Sequence, residues 1–358
     1  MALTGPHGYP VEPNWIWWRQ TTPAGYPALV PDLRIGVLGA ARITPSALLK
    51  PAARVGGVRV VAIAARDPAR AAAFAQKHGI DAVDASYQDL VERSDIDAVY
   101  NPLPNSLHAP WTLAAIAAGK HVLCEKPFTS NAPEAQTVAE AATSAGVVVM
   151  EAYHYRYHQL AHKMHAIVSE GQLGEIRRVR TWMCFPLPRF NDIRYSYPLA
   201  GGSLMDACYA AHCLRLLGPG EPTVTSARAK LHGTDVDRAM TATVRFDNGA
   251  QGTLDTSMWS HRVLRLSAHA EGTRGRMRVT NFVAPQFFNL MALTVDGRTT
   301  RTRARGEASY DAQLRAFHSA VAGDHTANLT PPADAVATMR LIDDCYRMAG
   351  LQPRGSNQ

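Results

Sequence analysis

The stretch that decides the fold is LRIGVLGAARIT, residues 33–44. Its first six residues are mostly apolar and predict a short buried strand, and Thr44 suits the first turn of a following helix. Gly39, Ala41 and Thr44 stand at the three glycine positions of G-x-G-x-x-G, so only the first glycine is present. A helix that begins after such a turn binds pyrophosphate through its free amides and its dipole. The stretch therefore predicts a cofactor-binding turn, with cofactor-binding residues Gly39, Ala41, Arg42 and Ile43.

Apolar strands and helices alternate from here to about residue 152. Further buried strands are predicted at Val58–Ala64, Ile96–Tyr100, His121–Cys124 and Val147–Ala152. The helices predicted between them are Pro68–His78, with Asp67 as its cap, and about residues 109–118 and 132–144. Continuously apolar strands that alternate with helices indicate a parallel, doubly wound sheet. Residues 32–152 are therefore predicted to form a Rossmann domain that binds NADP.

The second half of the chain has a different period, because apolar residues alternate after about residue 175. Strands are predicted at Thr223–His232, Arg238–Phe246, Gln251–Met258, Val263–Glu271 and Phe287–Val295. Hairpin turns are predicted at Asp247-Asn248-Gly249 and Asp296-Gly297, and helices at about Tyr310–Ala322 and Pro332–Ala349. The predicted fold class is α/β. Residues 153–358 would form a second α/β domain around a large, mostly antiparallel open sheet, with C-terminal helices that pack back toward the Rossmann domain.

Residues 1–31 form a segment rich in proline and tryptophan, with no period of a helix or a strand. We interpret it as an N-terminal arm that docks on the body of the protein or on a neighbouring subunit, because three tryptophans are costly to expose. The open sheet of residues 153–358 is the predicted surface for a homodimer or homotetramer.

Composition excludes several classes of protein. The chain has 358 residues and 19% charged residues, which suits two globular domains. Its net charge of +7 comes mainly from arginines that are spread along the chain, which argues against a nucleic-acid-binding stripe. The excess of arginine either suits an anionic small molecule or reflects only codon bias. Five cysteines without a CxxC pair indicate a reducing, cytoplasmic location. We also expect no membrane partner, because no apolar stretch approaches the length of a span, and no secretory signal.

The tip of the second predicted strand bears on the choice of cofactor. It reads Ala64-Ala65-Arg66-Asp67, and Ala65 aligns with the acid that binds the ribose of NAD. Arg66 follows, and an arginine there suits the 2′-phosphate of NADP through charge-assisted hydrogen bonds. This predicts NADP as the preferred cofactor, with NAD possible. In the competing interpretation Asp67 is the ribose acid, although its position before Pro68 favours a helix cap.

Several motifs together resemble one family of oxidoreductases. They are Gly36–Ile43, Asn101–His108, Ala117–Pro127, Met150–Ala152 and Gly201–Asp206. The chain resembles the glucose–fructose oxidoreductase/inositol dehydrogenase family (Gfo/Idh/MocA) from about residue 33 to about residue 350. Its segment Val61–His78 looks most like the branch of dimeric dihydrodiol dehydrogenases and NADP-linked xylose dehydrogenases.

The resemblance implies hydride transfer between NADP and a hydroxyl or carbonyl group of a sugar, polyol or dihydrodiol. Lys126 then corresponds to the catalytic lysine of the family and also contacts cofactor and substrate. Asn105 and His108 would line the nicotinamide side, and Glu125 would lie near the cofactor. The ammonium of Lys126 would stabilise a developing alkoxide beside the nicotinamide.

The second catalytic element departs from the family's pattern. Similar members have Asp, three intervening residues and then Tyr or His, whereas Asp206 and Tyr209 have only two between them. On a continuous helix Tyr209 could still reach the site, because residues three and four apart share a face. His212 is the alternative proton carrier. We therefore predict Asp206 as a catalytic and substrate-orienting residue, with Tyr209 or His212 as the general base.

Further substrate-binding residues are predicted on position alone. Tyr153 and Arg156 follow the last Rossmann strand, and Arg194 lies in a proline-rich segment before Gly201. A histidine stripe at His154, His158, His162 and His165 lacks the glutamate of H-E-x-x-H, so no metal site is predicted. Two alternatives to a dehydrogenase stay open: a glycosidase that uses nicotinamide transiently, and a non-catalytic NADP-binding sensor or partner subunit.

Overall fold

Two sheets organise the protein. The computed structural model describes residues 32–261 and 263–355, so the predicted arm at residues 1–31 lies outside the described residues. From Asp32 onward the chain forms one compact unit, to which both sheets belong.

The first sheet is parallel and has six strands in the order β3-β2-β1-β4-β5-β6. Its strands are β1 (Leu33–Leu38), β2 (Val58–Ala64), β3 (Ala82–Asp84), β4 (Ala98–Asn101), β5 (His121–Cys124) and β6 (Val149–Glu151). A π-helical turn, Pro45–Leu49, and α1 (Lys50–Ala52) follow β1. The other helices of this half are α2 (Pro68–His78), α3 (Tyr87–Glu92), α4 (His108–Ala117) and α5 (Ala132–Ala145).

The second sheet has eight strands in the order β14-β13-β12-β11-β7-β10-β9-β8. They are β7 (Ile176–Cys184), β8 (Thr223–His232), β9 (Val236–Arg245), β10 (Gln251–Ser257), β11 (Arg265–Gly272), β12 (Gly275–Thr280), β13 (Leu290–Val295) and β14 (Arg298–Thr302). Only β7 and β10 pair in parallel. The helices of this half are α6 (Gln159–Ser169), α7 (Ser203–Asp206), α8 (Tyr209–Leu217), α9 (Ser309–Val321) and α10 (Pro332–Met348). Helix α10 contacts α5, and α9 contacts α1.

Local sequence accounts for the helix ends in the first half. Helix α2 begins because Asp67 accepts hydrogen bonds from two backbone amides, and it ends at Gly79 with a φ of 68°. Helix α5 begins at Asn131 in the same way and ends at Gly146 with a φ of 65°. The cap at Asp67 confirms the prediction from the sequence.

The predicted fold class is confirmed, but four strands escaped prediction. Strand β3 has only three residues, β12 has only two apolar side chains, Met277 and Val279, and β14 has none. Strand β7 was missed because Arg177, Arg178 and Arg180 interrupt its apolar residues. One face of the second sheet is open, so its strands need not be apolar on both sides.

Candidate active site

The candidate site lies at the carboxyl edge of the first sheet, where the segments after β1, β4 and β5 meet. In parallel sheets this edge forms the crevice that binds dinucleotides. The end of α7, the start of α8 and a segment before them, residues 185–200, complete the site from the second half of the chain. We call residues 185–200 the cap segment.

The turn after β1 offers donors to an anion. Gly39 has a φ of +83°, and a Cβ there would lie 2.9 Å from Leu103 Cδ2, so the turn requires glycine. Among the described residues, the N–H groups of Arg42 and Ile43 have no acceptor. The buried hydroxyl of Thr44, at the third glycine position, also has no partner there. These orphaned donors fit the pyrophosphate of a nicotinamide dinucleotide.

The tip of β2 separates the two interpretations of cofactor choice. Asp67 Oδ1 accepts from the amides of Ala69 at 3.0 Å and Arg70 at 3.2 Å, so its carboxylate caps α2. Ala65 is buried, and the exposed Arg66 contacts Tyr87 only through its amide, at 3.3 Å. Asp67 is therefore engaged as a cap, and the guanidinium of Arg66 lies exposed beside the turn.

Lys126 is held at a fixed point of the crevice. Its Nζ donates to the carbonyl oxygen of Asp206 at 3.0 Å and to Asp206 Oδ1 at 3.1 Å, and the side chain is only 16% exposed. Burial lowers the pKa of Lys126, but the carboxylates of Asp206 and Glu125 and the hydrogen bond to Asp206 outweigh it and raise this pKa above its usual value. Lys126 is therefore an ammonium, with one of its three N–H donors left for a substrate oxygen.

A break in the helix creates half of this anchor. Helix α7 ends at Asp206 and α8 begins at Tyr209. In a continuous helix the Asp206 carbonyl would accept from the amide of Ala210, but that amide bonds to Ala207 at 3.0 Å. The expectation that Asp206 and Tyr209 share one helix is therefore wrong. Both still reach Lys126, whose Nζ lies 5.4 Å from the centre of the Tyr209 ring.

The structure brings Tyr209, and not His212, to Lys126. Among the described residues, none makes a hydrogen bond to the Tyr209 hydroxyl. His212 is occupied at both ring nitrogens: Nδ1 lies 2.5 Å from the Tyr155 hydroxyl and Nε2 lies 2.9 Å from Asp334 Oδ2. Burial lowers the pKa of His212, so the neutral ring accepts from Tyr155 and donates to Asp334. His212 therefore braces α8 and has no nitrogen free to carry a substrate proton.

Two predicted site residues are corrected by their burial. Tyr153 is 0% exposed, so it cannot contact a substrate, and its ring instead packs edge-on against Tyr209 at 5.2 Å. His108 is 1% exposed, and its ring nitrogens lie 2.7 Å from the carbonyl oxygens of Pro127 and Leu103. Burial lowers the pKa of His108 to about 4. It joins two loops behind the crevice and presents no surface to the nicotinamide side.

The remaining predicted residues divide into those at the site and those away from it. Arg194 Nε lies 3.5 Å from Asp206 Oδ2, and Asn105 donates to the carbonyl of Ala200 at 2.9 Å, so both border the crevice. Arg156 lies near His162, whose pKa is lowered by burial and then by this arginine. Among the described residues, no contact joins Arg156 to Lys126 or Asp206.

Sequence reasoning missed two tyrosines beside Glu125. The Tyr100 hydroxyl donates to Glu125 Oε1 at 2.7 Å, and burial raises the pKa of that carboxyl. Tyr310 stacks on His154 with ring centres 4.0 Å apart, and burial and Glu125 raise its pKa. No sequence signal marks Tyr310, because it reaches the site only through the packing of α9.

The other groups that the sequence analysis discussed have structural partners. His154 Nδ1 lies 2.8 Å from Ser309 Oγ, and His158 Nδ1 caps α6 by accepting from Leu160 at 3.0 Å. Within residues 32–261 and 263–355, no three His, Cys, Asp or Glu side chains are grouped to hold a metal ion. No helix in these ranges has the length and apolar character of a membrane span.

A Rossmann sheet whose carboxyl edge carries a donor-rich turn and a fixed ammonium defines a nicotinamide-dependent oxidoreductase. The chain matches a family model described as an oxidoreductase family with an NAD-binding Rossmann fold over residues 33–153. It also matches the model of the GFO/IDH/MocA C-terminal domain over residues 161–278. The chain therefore belongs to the Gfo/Idh/MocA family, which confirms the resemblance and the predicted reaction class.

Individual relatives show the range of this family. The chain is 34% identical over 319 residues to a D-xylose 1-dehydrogenase (NADP(+)) from Haloferax volcanii, covering 88% of this chain and 97% of the relative. It is 33% identical over 232 residues to the trans-1,2-dihydrobenzene-1,2-diol dehydrogenase of Mus musculus, covering 63% and 68%. Among solved structures it is similar to a 3-ketoreductase from Actinomadura kijaniata in complex with NADP and TDP-benzene. The TM-score is 0.78 with 28% identity, over 87% of this chain and 96% of that one.

Proposed function

We propose that this oxidoreductase prefers NADP and interconverts a CH–OH group and a carbonyl group on a small polyhydroxylated substrate. The observation that carries the proposal is the anchor of Lys126. Two of its N–H donors are fixed by Asp206, and the third is left near Tyr209, whose ring centre lies 5.4 Å from Nζ. A fixed ammonium next to an unengaged phenol is the pair that such a reaction needs at the reacting oxygen.

Lys126 acts on the substrate oxygen. A bound nicotinamide supplies or accepts the hydride at the carbon. The free N–H of Lys126 donates to the oxygen on that carbon, and the positive charge stabilises the negative charge that develops there. The anchor to Asp206 keeps the ammonium in place, so little reorganisation is needed during the reaction.

Tyr209 is the proposed general acid and general base of the reaction. Burial raises the pKa of Tyr209 well above its usual value, so the phenol is neutral in the resting protein. In the reducing direction its O–H bond breaks as the carbonyl oxygen takes the proton. In the oxidising direction the phenol first releases its proton to solvent, which the nearby Lys126 ammonium favours, and the substrate hydroxyl then gives its proton to the phenolate.

Asp206 and Arg194 are the proposed contacts for the other substrate hydroxyls. Both border the crevice, and Asp206 Oδ2 is not used by Lys126. A carboxylate and a guanidinium side by side offer an acceptor and a donor to a diol. Relatives support this class of substrate, since they act on xylose and on a dihydrodiol. Solved structures of the 3-ketoreductase include variants at a lysine and at a tyrosine, with NADP bound.

The proposed preference for NADP gives a direct prediction at Arg66. Arg66→Ala should weaken NADP binding by about 10- to 100-fold, because a charge-assisted hydrogen bond to the 2′-phosphate contributes about 1.5–3 kcal/mol. NAD lacks that phosphate, so its affinity should change by less than about threefold. Titration of both cofactors against the two proteins measures this. The matched control is Arg59→Ala, near the amino end of the same strand. Arg59 is exposed, and its pair with the exposed Asp81 is long, at 4.0 Å. If Arg66→Ala binds NADP as tightly as wild type, Arg66 does not bind the 2′-phosphate.

A second prediction separates Tyr209 from His212. Tyr209→Phe should lower kcat by about 10²- to 10⁴-fold without changing NADP affinity, because it deletes only the proton-carrying hydroxyl. His212→Phe should instead lower the free energy of unfolding by about 1–3 kcal/mol, since it leaves the Tyr155 hydroxyl buried without an acceptor. Its kcat per folded molecule should stay within about tenfold of wild type. The reverse pattern of kcat values would make His212 the proton carrier.

The experiment that tests the function is a spectrophotometric screen. The protein is mixed with NADP and a panel of aldoses, polyols and diols, and with NADPH and the corresponding carbonyl compounds, and absorbance near 340 nm is followed. Sustained formation of NADPH from NADP, or sustained consumption of NADPH, supports the proposal. Cleavage of aryl glycosides without net NADPH formation would point to the glycosidase. Tight NADP binding without either reaction would point to a sensor or partner subunit.

We also propose a cytoplasmic location and a homodimer or homotetramer that assembles through the second sheet. Five free, buried cysteines support the location, since thiols persist where the compartment is reducing. The open face of the second sheet supports the assembly surface. Light scattering of the purified protein, compared with a monomer mass of 38.9 kDa, decides the oligomeric state.

A further inference from the structure

Five charged side chains form a line from the cofactor turn to the catalytic lysine. Arg42 Nη2 lies 3.7 Å from Asp192 Oδ2, and Asp192 Oδ1 lies 3.6 Å from Arg194 Nε. Arg194 Nε lies 3.5 Å from Asp206 Oδ2, and Asp206 Oδ1 accepts from Lys126. The signs alternate from one end to the other, so each group is attracted by its neighbours. The line joins the place of the cofactor phosphates to the place of the reacting oxygen.

Asp192 is the second member of this line and has the least exposed side chain of the five. Its side chain is 9% exposed, whereas that of Arg42 is 76% exposed. Asp192 also caps the short helix Ile193–Tyr195, because Oδ1 accepts from the Arg194 amide at 3.1 Å. The carboxylate therefore fixes the cap segment internally and turns its second oxygen toward the cofactor turn.

Among the described residues, the cap segment makes one hydrogen bond to the first half of the chain. Asn105 donates to the carbonyl of Ala200 at 2.9 Å, at the end of the segment. Near its start, Phe185 and Leu187 bond to β10 and the residue after it. Between these points the segment exposes Phe190 and Ile193. Phe190 also stacks on His232 of β8 with ring centres 5.2 Å apart, and the pair of Asp192 and Arg42 joins the middle of the segment to the cofactor turn.

We propose that Asp192 is a positioning residue that couples cofactor binding to the substrate half of the site through Arg42. The proposal rests on the proposed function, because it requires a dinucleotide at the turn after β1. Arg42 has five N–H donors, and its one described contact, at 3.7 Å, is longer than a hydrogen bond. A phosphate oxygen at the neighbouring amides can engage the same guanidinium. Arg42 then bridges phosphate and Asp192, and the cap segment becomes fixed.

The consequence reaches the substrate through Arg194. Because Asp192 accepts from the Arg194 amide and attracts its guanidinium, fixing Asp192 fixes Arg194 beside Asp206. Asp206 in turn orients Lys126. Cofactor binding thus stabilises the arrangement of Arg194 and Asp206 that receives the substrate, so the substrate binds more tightly to protein that already holds the cofactor. By linkage, substrate then tightens the cofactor by the same factor.

Limited proteolysis tests the coupling without an identified substrate. Trypsin can cut after the exposed Arg189, inside the cap segment, and mass spectrometry follows the loss of this junction. NADP should slow cleavage at this junction by about fivefold or more in wild type, the lower end of typical coupling between sites. Asp192→Asn keeps the oxygen that accepts from the Arg194 amide but removes the charge. We expect NADP to protect this variant less than about twofold.

Controls make the outcome specific. Asp192→Glu restores the charge and should recover part of the protection. Asp296→Asn removes a carboxylate of an exposed ion pair on the β13–β14 turn and should behave as wild type. Thermal unfolding of the apo variants checks that Asp192→Asn does not act through stability. With the substrate from the screen, Asp192→Asn should raise KM more than it lowers kcat.

Two results overturn the proposal in distinguishable ways. Equal NADP protection of wild type and Asp192→Asn, with equal NADP affinity, refutes the coupling and leaves the proposed function intact. Failure of wild type to bind NADP in a fluorescence titration refutes the proposed function and the coupling together.

Discussion

Replacing Lys126 by methionine is expected to lower turnover by about 10²- to 10³-fold, the cost of removing one preorganised donor to a developing oxyanion. Methionine has nearly the length of lysine and fits the same half-buried space, so the change removes charge and donors with little change in packing. NADP affinity should stay within about threefold of wild type, because the phosphates are bound at the turn after β1. Steady-state kinetics and a cofactor titration measure the two quantities.

A second lysine of the same region serves as the control. Lys120 Nζ donates to the carbonyls of Arg93 at 2.6 Å and Ile96 at 2.9 Å, so it braces loops and does not face the crevice. Lys120→Met should lower stability but leave kcat per folded molecule near that of wild type. If Lys126→Met turns over at a rate near that of wild type, Lys126 has no part in the redox step.

Replacing Arg354 by methionine is expected to lower the free energy of unfolding by about 3–5 kcal/mol, the cost of leaving one partner of a buried ion pair uncompensated. Arg354 and Asp237 are both 0% exposed, and Nη2 lies 2.8 Å from Asp237 Oδ1. Arg354 Nε also donates to the Gly201 carbonyl at 2.7 Å. Asp237 Oδ2 accepts from the Leu204 amide at 2.8 Å, so the pair holds the first turn of α7.

Chemical denaturation of the variants measures this prediction. Arg274→Met removes an arginine from an exposed pair with Asp296 and should cost less than about 1 kcal/mol. The double variant Asp237→Asn with Arg354→Met should be more stable than Arg354→Met alone, because the unpaired charge is gone. A loss below about 1 kcal/mol in Arg354→Met itself would show that water or another group compensates Asp237.

The packing around Arg194 and Asp237 explains why the sequence motif has two glycines, Gly201 and Gly202. A Cβ on Gly201 would lie 2.5 Å from the carbonyl oxygen of Arg194, and one on Gly202 would lie 2.2 Å from Asp237 Oδ1. Gly202 also has a φ of +141°, which side chains rarely adopt. The glycines thus let the cap segment and the buried carboxylate approach the start of α7.

Local pattern was enough to predict the cofactor turn and Lys126, since each depends on residues adjacent in sequence. Gly39 follows a buried strand, and Lys126 follows another strand of the same parallel sheet. The direction of these strands alone brings both to one edge. The cap role of Asp67 was likewise readable from the proline after it.

Other features could not be read from the sequence because they depend on distant partners. The difference between Tyr209 and His212 depends on Tyr155 and Asp334. These two residues lie on other elements and make hydrogen bonds to both ring nitrogens of His212. Tyr153 was misjudged because a position next to the crevice does not reveal which way the ring points. The pair of Arg354 and Asp237 is 117 residues apart and has no local signal.

The break between α7 and α8 has a consequence for how this enzyme can vary. One of the two groups that hold the Lys126 ammonium is a main-chain carbonyl, which every residue at position 206 would provide. Exchange of the side chain there can remove only the other group. The number of residues between Asp206 and Tyr209 decides whether that carbonyl is free or consumed by a helical hydrogen bond. The number of residues between Asp206 and Tyr209, more than the identity of residue 206, therefore determines one of the two acceptors of the Lys126 ammonium. That number changes by insertion or deletion and not by substitution.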